Sequence, residues 1–156
     1  MQPTPPNRTG ARKRLSRSGT RRLGDDYQDI VALDLIVDWL GANDRFTWLK
    51  LEADDALHLD DVTAECGDGT LLYLQVKYST DPTKPGDPWT WDVLLDRDER
   101  AGKGGKKSLV QKWASSLEAL TVRSPCVDAA VVSNRAAGRG LRESLKPDGT
   151  VDFDSL

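Results

Sequence analysis

Apolar residues recur at helical spacing in the segment after residue 24. They lie three or four positions apart between Tyr27 and Leu40, which is typical of one face of an amphipathic helix. Because glycine often follows the last turn of a helix, we predict a helix that begins at Asp25 or Asp26 and ends at Gly41. The residues of its apolar face are Tyr27, Ile30, Val31, Leu33, Ile36, Val37 and Leu40.

Three segments with β-strand patterning follow this helix. Residues 46–52, 59–65 and 71–78 are short, partly alternating and rich in apolar side chains. The last two segments flank the turn at residues 66–70, so we predict an antiparallel hairpin. Side chains alternate between the two faces of a strand, and one face of the hairpin is therefore expected to be apolar. That face comprises Val62, Ala64, Leu72, Leu74 and Val76.

The second half of the chain alternates loops, helices and one further strand. Three prolines and a glycine make residues 80–88 a predicted loop, and residues 96–107 are charged, glycine-rich and expected to be mobile. We predict a short helix at 89–95, a longer helix at 108–120, a buried strand at 127–132 and a last helix near 140–145. This order favours an α/β fold, with a central mixed β-sheet flanked by helices.

The first 24 residues differ from the rest in charge. They contain no acidic residue and seven basic ones, namely Arg8, Arg12, Lys13, Arg14, Arg17, Arg21 and Arg22. The other 15 basic residues are outnumbered by all 25 acidic residues, so the net charge of −3 combines a basic tail with an acidic body. The tail is expected to be disordered, and either to bind nucleic acid phosphates or to act as a solubilising extension. Residues 25–156 are expected to form one domain.

The amino-acid composition limits the expected cellular compartment and the side chains that could act in catalysis. Cys66 and Cys126 fit neither a disulfide framework nor a zinc site, and no apolar segment is long enough to cross a membrane. We therefore expect a reduced, cytoplasmic protein with no membrane partner. His58 is the one histidine of the sequence, which excludes two-histidine metal sites. Any catalysis would depend on carboxylates and lysine.

A polar group is predicted on the second face of the hairpin. Thirteen residues separate Asp61 from Gln75, and alternation places Asp61 of one strand near Gln75 and Lys77 of the other. A carboxylate, an amide and an ammonium group are costly to bury without a role. A solvated strand face is the plainer alternative. Asp60 would take the place of Asp61 if a β-bulge shifted the alternation.

The order of these elements resembles the core of the PD-(D/E)XK restriction-endonuclease superfamily, in which a strand bearing aspartate precedes a strand ending in Glu/Gln-x-Lys. The motifs further resemble the N-terminal effector domain of the CD-NTase-associated endonucleases, which belong to bacterial anti-phage defence and cut double-stranded DNA. The resemblance covers roughly residues 24–135. The matching positions are Gly24, Tyr27-Gln28, Leu51-Glu52, Asp60-Asp61-Val62, Gln75-Val76-Lys77 and Ser133-Asn134-Arg135.

This resemblance implies a restriction-endonuclease-like core and Mg²⁺-dependent hydrolysis of DNA, with Mn²⁺ as an alternative ion. The lysine would orient the attacking water or stabilise charge on the phosphate. The implied catalytic residues are Glu52, Asp61, Gln75 and Lys77; the implied metal ligands are Asp61, Gln75, the backbone carbonyl of Val76 and, less favoured, Asp60; Gln28 is an accessory residue.

Further residues are candidates for contact with DNA. Asn134 and Arg135 end the last predicted strand, and a mobile basic loop with Lys103, Lys106 and Lys107 could hold phosphates. Trp89 and Trp91 are expected to pack against the core rather than to stack on bases. Family members continue into a sensor or another C-terminal region, so we interpret the chain as part of a larger or split protein. Its expected partners are double-stranded DNA, a sensor module and a second copy of the chain.

Gln75 departs from the resemblance, because glutamate often occupies this position. An amide oxygen can bind a metal but carries no charge, so metal affinity would be lower. Two other functions therefore stay open. One is a nuclease fold that has lost its metal site and binds DNA or protein. The other is an assembly part that associates with a chain carrying the sensor.

Overall fold

The chain folds into a four-stranded mixed β-sheet with helices on both faces. The structure, a computed structural model, describes residues 17–80, 88–96 and 106–150. The strands lie in the order β1 (Phe46–Leu51), β2 (Val62–Cys66), β3 (Leu71–Lys77) and β4 (Val127–Ser133). The pairs β1/β2 and β2/β3 are antiparallel, whereas β3 and β4 are parallel. The predicted α/β class and mixed sheet are confirmed.

Helix α1 (Arg17–Gly41) covers one face of the sheet. Ala32 and Leu35 of the helix pack on Val62, which has no exposed surface, and on the other apolar residues of the hairpin. Burial of a leucine or valine side chain stabilises the fold by roughly 1.5–3 kcal/mol. The buried members of this core are Ala32, Leu35, Phe46, Val62, Ala64, Leu74 and Val76, which include most of the predicted apolar face of the hairpin.

Helix α3 (Leu109–Arg123) lies on the opposite face. It begins at a capping box, in which Ser108 Oγ accepts a hydrogen bond from Gln111 N (3.2 Å) and Gln111 Oε1 accepts one from Ser108 N (3.1 Å). Leu120 of this helix packs against Tyr73 of β3. A short 3-10 helix (Asp54–Ala56) contributes to the same core, and the helices α2 (Trp91–Leu95) and α4 (Arg139–Glu143) lie before and after α3 and β4 in the chain.

Helix α1 begins earlier than predicted. The structure places its first residue at Arg17, not at Asp25 or Asp26, so residues 17–24 belong to the helix. Arginine and leucine are good helix formers, and extending an existing helix costs far less than starting one. Four segments lie outside the described residues. They are residues 1–16, much of the predicted 80–88 loop, most of the charged segment with Lys103, and residues 151–156.

The predicted apolar face of α1 is only half buried. Tyr27 and Val31 pack on the sheet, but Ile30, Leu33, Val37 and Leu40 are 57–76% exposed. The helix therefore carries two apolar stripes, and the sheet covers the one that contains Ala32, Leu35 and Trp39.

Two strands also differ from their predictions. Strand β2 begins at Val62 rather than at residue 59, because Leu59 N donates to Ala56 O (3.1 Å) in a turn that follows the 3-10 helix. Strand β4 was predicted to be buried, but among the described strands it pairs only with β3, and Val131 is 41% exposed. None of the described helices is long and apolar enough to cross a membrane.

Candidate active site

Asp61 lies directly before β2 and contacts the end of β3. Val62 pairs with Leu74, so one step along the ladder brings Asp61 opposite Gln75. Asp61 Oδ2 accepts hydrogen bonds from Gln75 Nε2 and from the backbone N–H of Val76, the latter at 2.6 Å. Hydrogen bonds to a charged acceptor are each worth about 1.5–3 kcal/mol. The carboxylate is therefore fixed on the two residues that the sequence motif places beside it.

Lys77 completes this group. Its Nζ lies 3.9 Å from Asp61 Oδ2, and the side chains of Lys77 and Asp61 are 37% and 20% exposed. Gln75 is 4% exposed. The structure thus brings the predicted carboxylate, amide and ammonium groups together at one end of the sheet, with an ammonium that solvent and a ligand can still reach.

The backbone of Asp61 is held by two further predicted residues. Its carbonyl oxygen accepts a hydrogen bond from Gln28 Nε2 of α1 (3.0 Å) and another from the backbone N–H of Glu52 (3.1 Å). The rings of Tyr27 and Tyr78, with centroids 5.5 Å apart, join the same turn of α1 to the chain just after β3. Gln28 therefore acts on the main chain of Asp61, a contact that strand alternation gave no means to foresee.

Glu52 and Asp60 approach the site through their main chains. Glu52 has a φ of 48°, and Asp60 O accepts a hydrogen bond from Ala53 N at 2.8 Å. Neither carboxylate forms a hydrogen bond or ion pair with another described residue. Of the two adjacent aspartates, Asp61 is the one that meets Gln75, as the predicted alternation requires.

The Ser133-Asn134-Arg135 motif contacts the chain next to this site. Ser133 Oγ donates to Lys77 O (2.6 Å), while Asn134 binds the backbone of Ser79 through both ends of its amide (2.7 and 2.8 Å). The Arg135 guanidinium lies 4.2 Å from the centre of the Trp89 ring. Sequence reasoning selected Asn134 and Arg135 as DNA contacts and missed these internal partners. These contacts arise from the parallel pairing of β3 and β4, which a short sequence motif does not predict.

The predicted basic loop is described only in part. Lys107 Nζ donates to Ser115 Oγ of α3 at 2.8 Å, and Lys106 is exposed. Lys103 lies outside the described residues. The role of these lysines in DNA contact stays a prediction. Trp91 is half-buried, and its Nε1 donates to Ser144 Oγ at 3.3 Å, while the packing of Trp89 and Trp91 against the core stays a prediction.

The oxygen atoms at this site suit a cation that keeps much of its own water. Asp61 supplies one carboxylate, and Gln75 supplies an amide whose oxygen and nitrogen exchange places by a simple flip. Within the described ranges there is no group of three histidine, cysteine or acidic side chains that could hold a metal. Mg²⁺ commonly binds through one or two carboxylates, waters and substrate phosphates, so the chemistry of the Asp61 and Gln75 side chains fits Mg²⁺ in the presence of a phosphate ligand, and the Val76 carbonyl stays a predicted ligand.

Comparison with known proteins adds no assignment to this geometry. The chain matches no protein-family model, no curated protein and no solved structure.

Proposed function

We propose that this protein is a Mg²⁺-dependent endonuclease that hydrolyses phosphodiester bonds of double-stranded DNA. The observation that carries the proposal is the convergence of Asp61, Gln75 and Lys77 across β2 and β3 at one end of the sheet. These are the positions that the resemblance to the PD-(D/E)XK superfamily makes catalytic. The same resemblance leads us to propose a cytoplasmic effector of anti-phage defence that works with a sensor module.

The arrangement of the elements supports a restriction-endonuclease-like core. Helix α1 precedes three antiparallel strands, and α3 then leads to β4, which lies parallel to β3. The aspartate directly precedes the second strand, and the Gln-x-Lys motif ends the third. This is the element order on which the resemblance rests.

Mg²⁺ would be held by Asp61, Gln75 and the Val76 carbonyl. When bound, it would lower the pKa of a coordinated water and neutralise charge on the phosphate. In the hydrolysis, a water oxygen bonds to phosphorus, the bond from phosphorus to one ester oxygen breaks, and that oxygen takes up a proton. Phosphoryl transfer depends mainly on position and charge, which are the properties that a fixed carboxylate and a nearby ammonium provide.

Different residues of the site have different roles in this reaction. Lys77 offers a positive charge to the phosphate oxygens, where charge develops in the transition state. Gln28 and Glu52 hold the carbonyl of Asp61 and so fix its main chain. Asp61 fixes the end of β3 in turn through the Val76 N–H. The site is therefore ordered before DNA arrives, which lowers the entropy cost of the reaction.

The test is cleavage of supercoiled plasmid with and without Mg²⁺. We expect Mg²⁺-dependent nicking or linearisation by the parent protein, and a loss of about 100-fold or more in Asp61→Asn and in Lys77→Ala. Asp55→Asn and Lys50→Ala are matched controls, because these two residues form a surface pair (3.5 Å) and undergo the same chemical changes. The controls should cut like the parent.

Cleavage that survives both Asp61→Asn and Lys77→Ala would contradict the proposed site. Absence of Mg²⁺-dependent cleavage by the parent across a wide range of protein concentration would contradict the proposed activity. Equal losses in the control variants would show a general sensitivity to charge rather than a site.

One feature of the site favours a second function, a nuclease fold that binds DNA or protein without cutting. Asp61 Oδ2 already accepts hydrogen bonds from Gln75 and Val76, so the carboxylate is satisfied by the protein itself. Gel shift of duplex DNA by a parent protein that does not cut, unchanged in Asp61→Asn, is the result expected for this alternative.

A further inference from the structure

The last residue of β3 is bound by a side chain of the neighbouring strand. Lys77 pairs with Ser133 in the parallel register of β3 and β4. In addition, Ser133 Oγ donates to the carbonyl oxygen of Lys77 at 2.6 Å, and it accepts from the backbone N–H of Arg135 at 3.1 Å. The main chain of the residue that carries the site ammonium is thus tied to the end of β4.

Asn134 binds the chain two residues further on. Its Oδ1 accepts from Ser79 N (2.7 Å) and its Nδ2 donates to Ser79 O (2.8 Å). A side-chain amide offers both a donor and an acceptor in one plane, which a carboxylate or an ammonium does not. These two bonds fix the direction in which the chain leaves β3.

Arg135 extends this contact to the other side of residues 81–87. Its Nη2 donates to Pro88 O (3.3 Å), and its guanidinium lies over the ring of Trp89. Three consecutive residues therefore bind the chain at Lys77 and Ser79 before that segment and at Pro88 and Trp89 after it.

From this geometry we propose that Ser133 and Asn134 are positioning residues, which hold the end of β3 so that Lys77 stays beside Asp61. This inference rests on the proposed nuclease function for its catalytic consequence. The ammonium of Lys77 reaches Asp61 Oδ2 at 3.9 Å through a flexible four-carbon side chain. Its place is set by the backbone at Lys77, which Ser133 binds directly and Asn134 restrains through Ser79.

The first test observes Lys77 directly and needs no activity. Lysine amines are reductively methylated with a ¹³C label, and the Lys77 signal is assigned by its loss in Lys77→Arg. We expect Asn134→Ala, and Ser133→Ala as a second variant, to shift this signal in the direction seen for Asp61→Asn. Asn43→Ala is the matched control, since Asn43 is exposed and lies in a turn away from this motif. Thermal unfolding shows which variants are folded.

The second test is a double-mutant cycle on DNA cleavage. A misplacement of a reacting group costs up to about 100-fold, so Asn134→Ala alone should lower kcat by roughly 10-fold to 100-fold with little change in duplex affinity. In a Lys77→Ala background the same change should cost less than about threefold, because its effect passes through Lys77. A general structural defect would lower the rate equally in both backgrounds.

The outcomes separate this inference from the proposed function. A shifted Lys77 signal in a protein that never cuts would support the positioning and contradict the nuclease. An unshifted signal in folded Asn134→Ala and Ser133→Ala would overturn the positioning, whether or not the parent cuts. Weaker DNA binding by Asn134→Ala with an unshifted Lys77 signal would assign Asn134 to DNA contact instead.

Discussion

At the scale of single residues, the same turn occurs at two places in the described part of the chain. Asp68-Gly69-Thr70 and Asp148-Gly149-Thr150 place glycine at φ values of 85° and 83°. In each, the aspartate accepts a hydrogen bond from the backbone N–H of the threonine, at 2.9 and 3.0 Å. These bonds from Thr70 and Thr150 lower the pKa of Asp68 and of Asp148. The first turn joins β2 to β3 and so sets the register that brings Asp61 to Gln75.

Gly69→Ala should therefore destabilise the fold by its backbone alone. A Cβ at Gly69 meets nothing within 4 Å, so only its positive φ opposes the substitution. We expect the free energy of unfolding to fall by about 1–2 kcal/mol. The matched control is Gly24→Ala in α1, which also meets nothing within 4 Å and should gain about 1 kcal/mol. Urea unfolding of both variants measures the difference, and an equal response of the two would contradict it.

The sequence predicts residue positions well where strand alternation governs them. The choice of Asp61 over Asp60 and the shared face of Gln75 and Lys77 follow from a period of two. The positive φ of Glu52 and the bond from Gln28 to the Asp61 carbonyl do not, because both depend on how separate elements meet. The local sequence pattern does not show how separate elements contact each other.

At the scale of elements, α1 extends past the end of the sheet that carries the candidate site. Gln28 contacts Asp61, and the helix continues towards its N-terminus for eleven more residues, to Arg17. Seven residues make almost two full turns, so Arg21 lies on the same side of α1 as Gln28 and about 10 Å further along its axis. Arg21 and Arg22 are exposed. Under the proposed function, this end of α1 would contact the DNA backbone near Asp61.

Reversing these charges should weaken DNA binding. For Arg21→Glu with Arg22→Glu we expect lower affinity for duplex DNA, and a slope of log K against log salt that is smaller by about 1.8, because each lost phosphate contact removes about 0.9. The matched control makes the same change at Arg139 and Arg142 of α4. Fluorescence anisotropy across a salt series gives both quantities. The same loss in the control would indicate net charge rather than a local contact.

The sequence predicted the main helices and strands and their order, but it did not predict the residues at which they begin and end. Prediction of α1 from Asp25 or Asp26 relied on apolar periodicity, which residues 17–24 lack, although their helix is only an extension of a packed one. The start of β2 was displaced because the chain before it forms a 3-10 helix and a turn. The apolar pattern indicates which elements pack against the core. It gives little information about the residue at which a helix or strand ends.

At the scale of the whole molecule, the described residues leave an apolar surface of α1 uncovered. The exposed stripe of α1 with Ile30, Leu33 and Val37 borders a groove of about 550 Å³ between α1 and the last two strands. The lining of this groove includes Tyr27, Leu74 and Val132. Continuous apolar surface of this kind is uncommon on soluble monomers and promotes association.

Polar substitution of the stripe should raise solubility without loss of stability. We expect Leu33→Lys with Val37→Lys to precipitate at higher polyethylene glycol concentration than the parent, with an unchanged free energy of unfolding, because both side chains are more than half exposed. Leu35→Ala, on the covered stripe, should instead cost about 2–5 kcal/mol. A stability loss of that size in the double lysine variant would show that the stripe is covered by another part of the chain.

The sheet as a whole was predictable in class and not in exposure. Helix, three strands, helix and strand predict a mixed sheet, since the last strand returns after a helix. The apolar sequence of β4 predicted burial, but a strand is buried only when neighbours cover its edge and both faces. That depends on the position of β4 in the sheet, which its own residues do not specify.

The parallel pairing of β3 with β4 makes the site dependent on distant sequence. A short turn at Gly69 joins β2 to β3, whereas 56 positions separate Ser133 from Lys77. The entropy lost on closing a loop increases with its length, so the contacts of Ser133 and Asn134 are among the most costly in this fold to form. The restraint on Lys77 therefore exists only in a chain whose second half has folded onto its first. A partly folded chain in which only β2 and β3 have paired would bring Asp61 to Gln75 without this restraint.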